Sequence, residues 1–233
     1  GHVLTMAGLE IESHETVDLP DGEKSEVLEL NVTPNRGYCL SHIGVAREVS
    51  ALLNKSLKLS DPLKALENES GAVAVEDRVS VENFEPELCP RYCALVIENV
   101  KVGPSPKWLK DRLLAIDLRP INNIVDITNF VMMEYGQPLH AFDRDLLVGN
   151  KIVIRRAKKG EPFASLDGTE LKLESDALVI ADADRPLALA GIMGGTNSQV
   201  SETTCHVVLE SACFEPATVR KGSKKYGLRS DSS

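Results

Sequence analysis

No apolar run among the 233 residues approaches the ~20 positions that a membrane helix requires, so no membrane span is expected. No signal peptide precedes the five cysteines, and no CxxC pair occurs among Cys39, Cys89, Cys93, Cys205 and Cys213. They read as reduced, cytosolic thiols; Cys89 and Cys93 find no second Cys/His pair at ligand spacing, so packing is expected of them rather than zinc. An excess of cations is lacking too. The formal net charge of −9 argues against a broad nonspecific nucleic-acid surface, because such binding rests on Lys and Arg neutralising phosphates. RNA contact, if present, must be local, either at Arg155, Arg156, Lys158 and Lys159 or at the denser Arg220, Lys221, Lys224, Lys225 and Arg229. Also missing are GxSxG, HExxH, P-loop, Asp-rich and GxGxxG signatures, and no Ser/His/Asp set can be assembled from spacing.

What is present is an ordinary globular composition, 42% hydrophobic and 26% charged, long enough for one large domain or two packed ones. Gly1 and His2 read as a cloning remnant, and residues 226–233 stop without a helix cap or a closing apolar element, so a piece of a longer protein is expected. Leu28, Leu30 and Val32 alternate with polar residues as a half-buried strand. Ser41 is the N-cap of a helix over 41–54 whose buried face is Ala46, Val49 and Leu53, and residues 55–72 form a surface connection. Residues 91–100 are β-rich. Ser105-Pro106 starts a second helix with Leu109, Leu113 and Ile116 buried. A third helix runs over about 120–134 and stops at Gly136, with Ile121, Ile124, Val125, Thr128, Val131 and Met132 as its apolar face. Strands follow from residue 150, with turns at Gly160, Asp167-Gly168 and Asp184 to Pro186. Mixed helices and strands followed by a mainly antiparallel run predict an α+β fold.

Four places are left over by the fold. His140 leaves the third helix through Gly136-Gln137-Pro138 on a short irregular connection, where an imidazole can serve proton transfer or be merely structural. Asn122 and Asn129 sit at the margin of the helix stripe beside Thr128, capping the core or lining a pocket. The glycines of residues 190–195 follow an apolar strand and make either a tight hairpin or a cradle of N–H groups for a carboxylate or oxyanion. Glu210 shares a strand face with Val208 and Ala212; if that face is inside, its charge needs a donor.

Residues 28–53 (LELNVTPNRGYCLSHIGVAREVSALL), 119–143 (RPINNIVDITNFVMMEYGQPLHAFD) and 178–195 (LVIADADRPLALAGIMGG), with 207–214 and 226–233, resemble the β subunit of bacterial phenylalanyl-tRNA synthetases. The resemblance implies an editing module over 27–233, after a remnant of the subunit's start in 1–26. It implies two adjoining mixed α/β regions, roughly 27–115 with the later strands and 116–210, with a pocket at their junction. The module would hydrolyse tyrosine wrongly esterified to phenylalanine tRNA, in the cytoplasm, beside an α subunit that carries aminoacylation. No cofactor is implied for this part; ATP and Mg belong to the full enzyme. By the match, His140 and Asn129 would act on the ester. Thr128, Pro138, Gly194, Glu210, Ser230 and Ser232 would bind the amino acid, with Glu210 accepting the tyrosine hydroxyl.

Two departures bear on this reading. The family usually carries Thr-Asp-Ala-Ser where this chain has Ser230-Asp231-Ser232-Ser233, which makes the pocket more polar, and Pro-Asp where it has Gly37-Tyr38. Residues 3–12 resemble the extreme N-terminus of the β subunit, and only 13–26 separate them from the module, so an intervening oligonucleotide-binding region is missing. A second function stays open, a noncatalytic structural or tRNA-positioning module with a decayed site.

Overall fold

The computed structural model describes residues 1–20, 22–59 and 78–230, so residues 60–72 of the expected surface connection and Ser232 lie outside the described residues. The fold is α+β, and the chain divides into two units, residues 1–72 with 104–137 and residues 73–103 with 138–233.

Unit 1 opens with α1 (His2–Met6) and a hairpin of β1 (Glu10–Asp18) and β2 (Lys24–Asn31). A 3-10 turn (Pro34–Cys39) leads into α2 (His42–Leu53); α3 (Lys107–Ala115) and α4 (Asn123–Tyr135) complete the unit. Ser41 caps α2, its hydroxyl accepting from the Gly44 N–H at 3.0 Å. Asn122 caps α4 by accepting from the Ile124 and Val125 N–H groups. Gly136 ends α4 at φ 78°, a left-handed position that an L side chain resists.

The core of this unit joins Leu4, Leu9 and Cys39 to Leu30, Val32, Val45 and Val49. Those partners meet α2 through Val45 and Val49, so Leu53 in its last turn is 44% exposed, contrary to expectation. Leu28 is likewise 38% exposed, in a hairpin that pairs with no further strand among the described residues. Leu109 and Leu113 are buried as expected. Ser105 does not cap α3; its hydroxyl donates to Asp126 Oδ2 at 2.5 Å, and the fully buried Asp126 also accepts from the Ile121 N–H at 2.8 Å. That bond holds Ile121 ahead of the helix, outside its period, with the side chain 68% exposed.

Unit 2 is built on two sheets. One has five strands in the order β11-β10-β9-β6-β3: β3 (Ser80–Asn83), β6 (Lys151–Arg156), β9 (Leu178–Ala181), β10 (Pro186–Leu189) and β11 (Met193–Gly194). The other has the order β4-β12-β5, from β4 (Arg91–Ile97), β5 (Leu139–Asp143) and β12 (Val207–Cys213). Ile152, Ile154, Ile180 and Leu187 of the first pack with Phe142 and Val208 of the second. On its other face the five-stranded sheet packs Val153, Val179 and Leu189 against the hairpin β7 (Glu161–Ala164) and β8 (Glu170–Leu173) and the helix α5 (Pro216–Tyr226). Burial on both faces is why β9 and β10 read as unbroken apolar runs and not as alternation.

Two expectations are corrected here. His140 lies in β5, paired to β12, and not on an irregular connection. The end of the described chain does close: α5 is capped at its start by the Glu215 carboxylate and at its end by Gly227 at φ 68°, and Leu228 is buried behind it. The helix was hidden because its sequence is mostly polar, although Glu215-Pro216 and Gly227 bracket it with ordinary start and stop signals. Among the described residues no helix is long and apolar enough to cross a membrane.

Candidate functional site

The three-stranded sheet of unit 2 sets the site by register. In β12, Glu210 lies opposite His140 of β5 on one side and Ala94 of β4 on the other; Ala212 lies opposite Tyr92, and Val208 opposite Phe142 and Val96. Residues opposed in an antiparallel ladder share a face, so Tyr92, His140 and Glu210 stand together among Ala94, Val96, Phe142 and Val208. Glu210 is 8% exposed, which settles the open question of its face. The Tyr92 hydroxyl donates to its Oε2 at 2.7 Å.

This apolar face displaces the titrations. Burial pushes the Glu210 carboxyl up to about 7, with the Tyr92 hydrogen bond working against that rise. Burial pushes His140 down to about 4, so its imidazole is neutral near pH 7 and one ring nitrogen can accept while the other donates. The Tyr92 phenol is raised well above its ordinary value by burial and then by the Glu210 charge. Cys89 is raised to about 11, by burial first and the Glu210 charge second.

The ring of His140 stands edge-on to Phe142, with centroids 4.6 Å apart. Its other neighbour is Gly194. A Cβ placed on Gly194 would sit 2.7 Å from His140 Nε2, closer still to Cε1, and 3.0 Å from Leu166 Cδ1. The glycine is therefore the condition for the imidazole's position. Of the two readings of the glycine run, the hairpin is the one found: Leu189 pairs with Met193 and Ala188 with Gly194. The N–H groups of Ala190, Ile192 and Gly195 donate to Leu178, Leu189 and Leu187 carbonyls and are not available as an oxyanion cradle.

Of the residues expected in the site, unit 2 brings together His140, Gly194 and Glu210. Pro138 is the first residue of the same segment, just ahead of β5. The Ser230 hydroxyl donates to the Ile192 carbonyl at 2.8 Å, two residues from Gly194, which ties the end of the described chain to the hairpin. Thr128 and Asn129 belong to α4 of unit 1; Thr128 is buried and its hydroxyl donates to the Val125 carbonyl at 2.7 Å, while Asn129 is half-buried. Sequence reasoning missed Tyr92. Alternation along 91–97 puts it on a face with Ala94 and Val96, but nothing local says which strand that face meets.

The basic clusters differ in kind. Arg155 forms a two-pronged pair with the buried Glu161 at 2.7 and 2.9 Å, and Arg156 pairs with Glu85 at 3.3 Å, so the two arginines of the first cluster are engaged within the fold, whereas Lys158 and Lys159 are exposed. On α5, Arg220, Lys221, Lys224 and Lys225 are all exposed, and among the described residues only Lys225 has an ion pair, to Asp176 at 2.6 Å. Cys39 and Cys89 are buried, whereas Cys93, Cys205 and Cys213 are exposed, and no group of three His, Cys, Asp or Glu among the described residues could hold a metal ion.

Residues 88–233 match the family described as B3/4 domain. The chain is 52% identical over 224 residues to the phenylalanine–tRNA ligase beta subunit of Carboxydothermus hydrogenoformans, covering 93% of this chain and 27% of that protein. It is 52% identical over 208 residues to the same subunit of Halalkalibacterium halodurans, covering 89% and 25%. The chain thus spans about a quarter of the length of the curated relatives it matches. A solved N-terminal fragment of the phenylalanyl-tRNA synthetase beta subunit from Pyrococcus horikoshii overlays with a TM-score of 0.47 at 15% identity, covering 98% of this chain and 68% of that one.

Proposed function

The chain belongs to the B3/4 domain family, and from that membership and its similarity to phenylalanine–tRNA ligase beta subunits we propose that it edits, hydrolysing tyrosine wrongly esterified to phenylalanine tRNA. The observation that carries the reading is the Glu210 carboxyl, 8% exposed on an apolar sheet face with Oε2 held by Tyr92, directly across the ladder from His140. An editing site must take tyrosine and leave phenylalanine, which differ by one hydroxyl. A buried acceptor left unpaired by phenylalanine can separate the two by roughly 10⁴ to 10⁵.

In the reaction, water adds to the ester carbonyl carbon, the bond to the ribose oxygen breaks, and that oxygen takes the proton the water loses. The products are tyrosine and deacylated tRNA. His140, neutral near pH 7, would hydrogen-bond the ester or the water without adding charge. Gly194 gives the imidazole its place. The nucleophile is water, so the lack of a nucleophile motif is no obstacle. ATP and Mg would serve aminoacylation, carried by an α subunit in the full enzyme, and the setting is the cytoplasmic machinery of translation.

A noncatalytic tRNA-positioning module is the competing reading, and the Ser230 to Ser233 departure favours it. Calorimetric binding of tyrosine against phenylalanine, with Glu210→Ala as control, separates them. Preferential tyrosine binding that the substitution erases supports editing, and release of tyrosine but not phenylalanine from charged phenylalanine tRNA then completes the case. Equal binding of both amino acids, or of neither, would overturn it.

A further inference from the structure

We propose that Tyr92 is a specificity-determining positioning residue, holding one oxygen of Glu210 so that the other is presented to the hydroxyl of a phenolic amino acid. This rests on the editing reading of the same site. The geometry starts in the ladder: Glu210 is paired with Ala94, and Tyr92 is paired with Ala212, one step along the same face. A diagonal neighbour on a sheet is within reach of an aromatic side chain, and the small Ala94 leaves the way across open. The phenol ends 2.7 Å from Oε2, while Oε1 takes no hydrogen bond among the described residues.

A glutamate has three side-chain torsions, and among the described residues no other hydrogen bond fixes its carboxyl group. A tyrosine has two, so it is a stiff anchor that loses little entropy in holding the group. With Oε2 engaged, an incoming phenol meets Oε1 as an acceptor at a defined place, and phenylalanine leaves it unpaired. Hydrogen bonding by Tyr92 also favours the ionised carboxylate, the form that binds a phenol most strongly. Among the described residues the titratable groups facing Glu210 are Tyr92 from β4, His140 from β5 and Cys89 from the turn before β4. Tyr92 and Cys89, the latter at about 11, stay protonated at neutral pH, and His140, at about 4, stays neutral. Glu210, at about 7, is thus the group among them that changes charge between pH 6 and pH 8.

The test is tyrosine and phenylalanine binding by this chain from pH 6 to pH 8.5, in the wild type, Tyr92→Phe and Glu210→Gln. In wild type, tyrosine affinity should rise with pH around a midpoint near 7. Tyr92→Phe should cut tyrosine affinity at pH 7 by about tenfold or more, leave phenylalanine affinity unchanged, and move the midpoint upward. Glu210→Gln should remove the pH dependence. If Tyr92→Phe keeps both preference and midpoint, or weakens both ligands equally with no shift, Tyr92 is only structural and the proposal fails. A wild type that binds both amino acids equally sinks the editing reading instead. Should Tyr92→Phe not fold, the Tyr92 13Cζ resonance of the wild type decides: an inflection near pH 7 supports the contact, and a flat response through that range overturns it.

Discussion

Replacing Gly194 by alanine should damage the protein through one ring. Gly194 is not among the positive-φ glycines, so alanine meets no backbone objection and the substitution tests space alone. The added Cβ would lie 2.7 Å from His140 Nε2 and 3.0 Å from Leu166 Cδ1. Carbon atoms settle about 3.5 Å or more apart, so the imidazole must retreat by roughly 1 Å. Phe142, edge-on to the ring at 4.6 Å between centroids, restricts the directions in which it can move. Overpacking of this kind costs about 1–3 kcal/mol, and a displacement near 1 Å of a positioned group costs on the order of 100-fold in rate. We therefore expect Gly194→Ala to lose about 2 kcal/mol in denaturant unfolding and about 100-fold in tyrosine release from tRNA. The check is a double-mutant cycle with His140→Ala. Removing the ring should let the new methyl in, leaving a coupling of roughly 1–2 kcal/mol. Additivity within about 0.5 kcal/mol would show that the methyl does not strike His140 and would refute the reasoning.

The pH dependence of stability offers a second test, because the buried Glu210 and the half-buried His140 oppose each other. Glu210, raised from 4.5 to about 7, holds more protons folded than unfolded in that window, so its contribution falls as pH rises through it. His140, lowered from 6.5 to about 4, holds fewer, so its contribution rises with pH from about 4 to 6.5. In wild type the two should nearly cancel between pH 4.5 and 6.5. Glu210→Gln should expose the rising limb and His140→Gln the falling one, each on the order of 3 kcal/mol, by urea titration across that range; flat profiles in both variants would contradict the two displaced titrations. For tRNA, the exposed stripe of α5 predicts that Arg220→Ala with Lys224→Ala weakens binding at every sequence and lowers the salt slope by about 2. An unchanged slope in a salt series would place the contact elsewhere.

The local signals that the structure bears out act over a few residues. Ser41 and Gly136 mark helix ends because capping is a matter of adjacent backbone groups. Alternation put Glu210 with Val208, and both are buried. The same kind of reasoning failed at Leu28, Leu53 and Ile121, which are apolar by pattern and exposed in fact, because burial depends on what arrives to cover them. It failed at Ser105 as well, whose hydroxyl was claimed by a carboxylate 21 residues away and not by its own helix.

By itself the sequence determined several of the helices and strands, where some of them stop, and that one carboxylate shares a strand face with apolar neighbours, but not the polar helix α5 or the strand that carries His140. Those are consequences of backbone periodicity and short-range hydrogen bonding. Only the tertiary structure decided what that carboxylate meets. Tyr92 reaches Glu210 across 118 residues, and His140 faces it because β5 and β4 flank β12 in that register. Strand order and register follow from the sum of packing over two sheets, and no single stretch of chain encodes that sum.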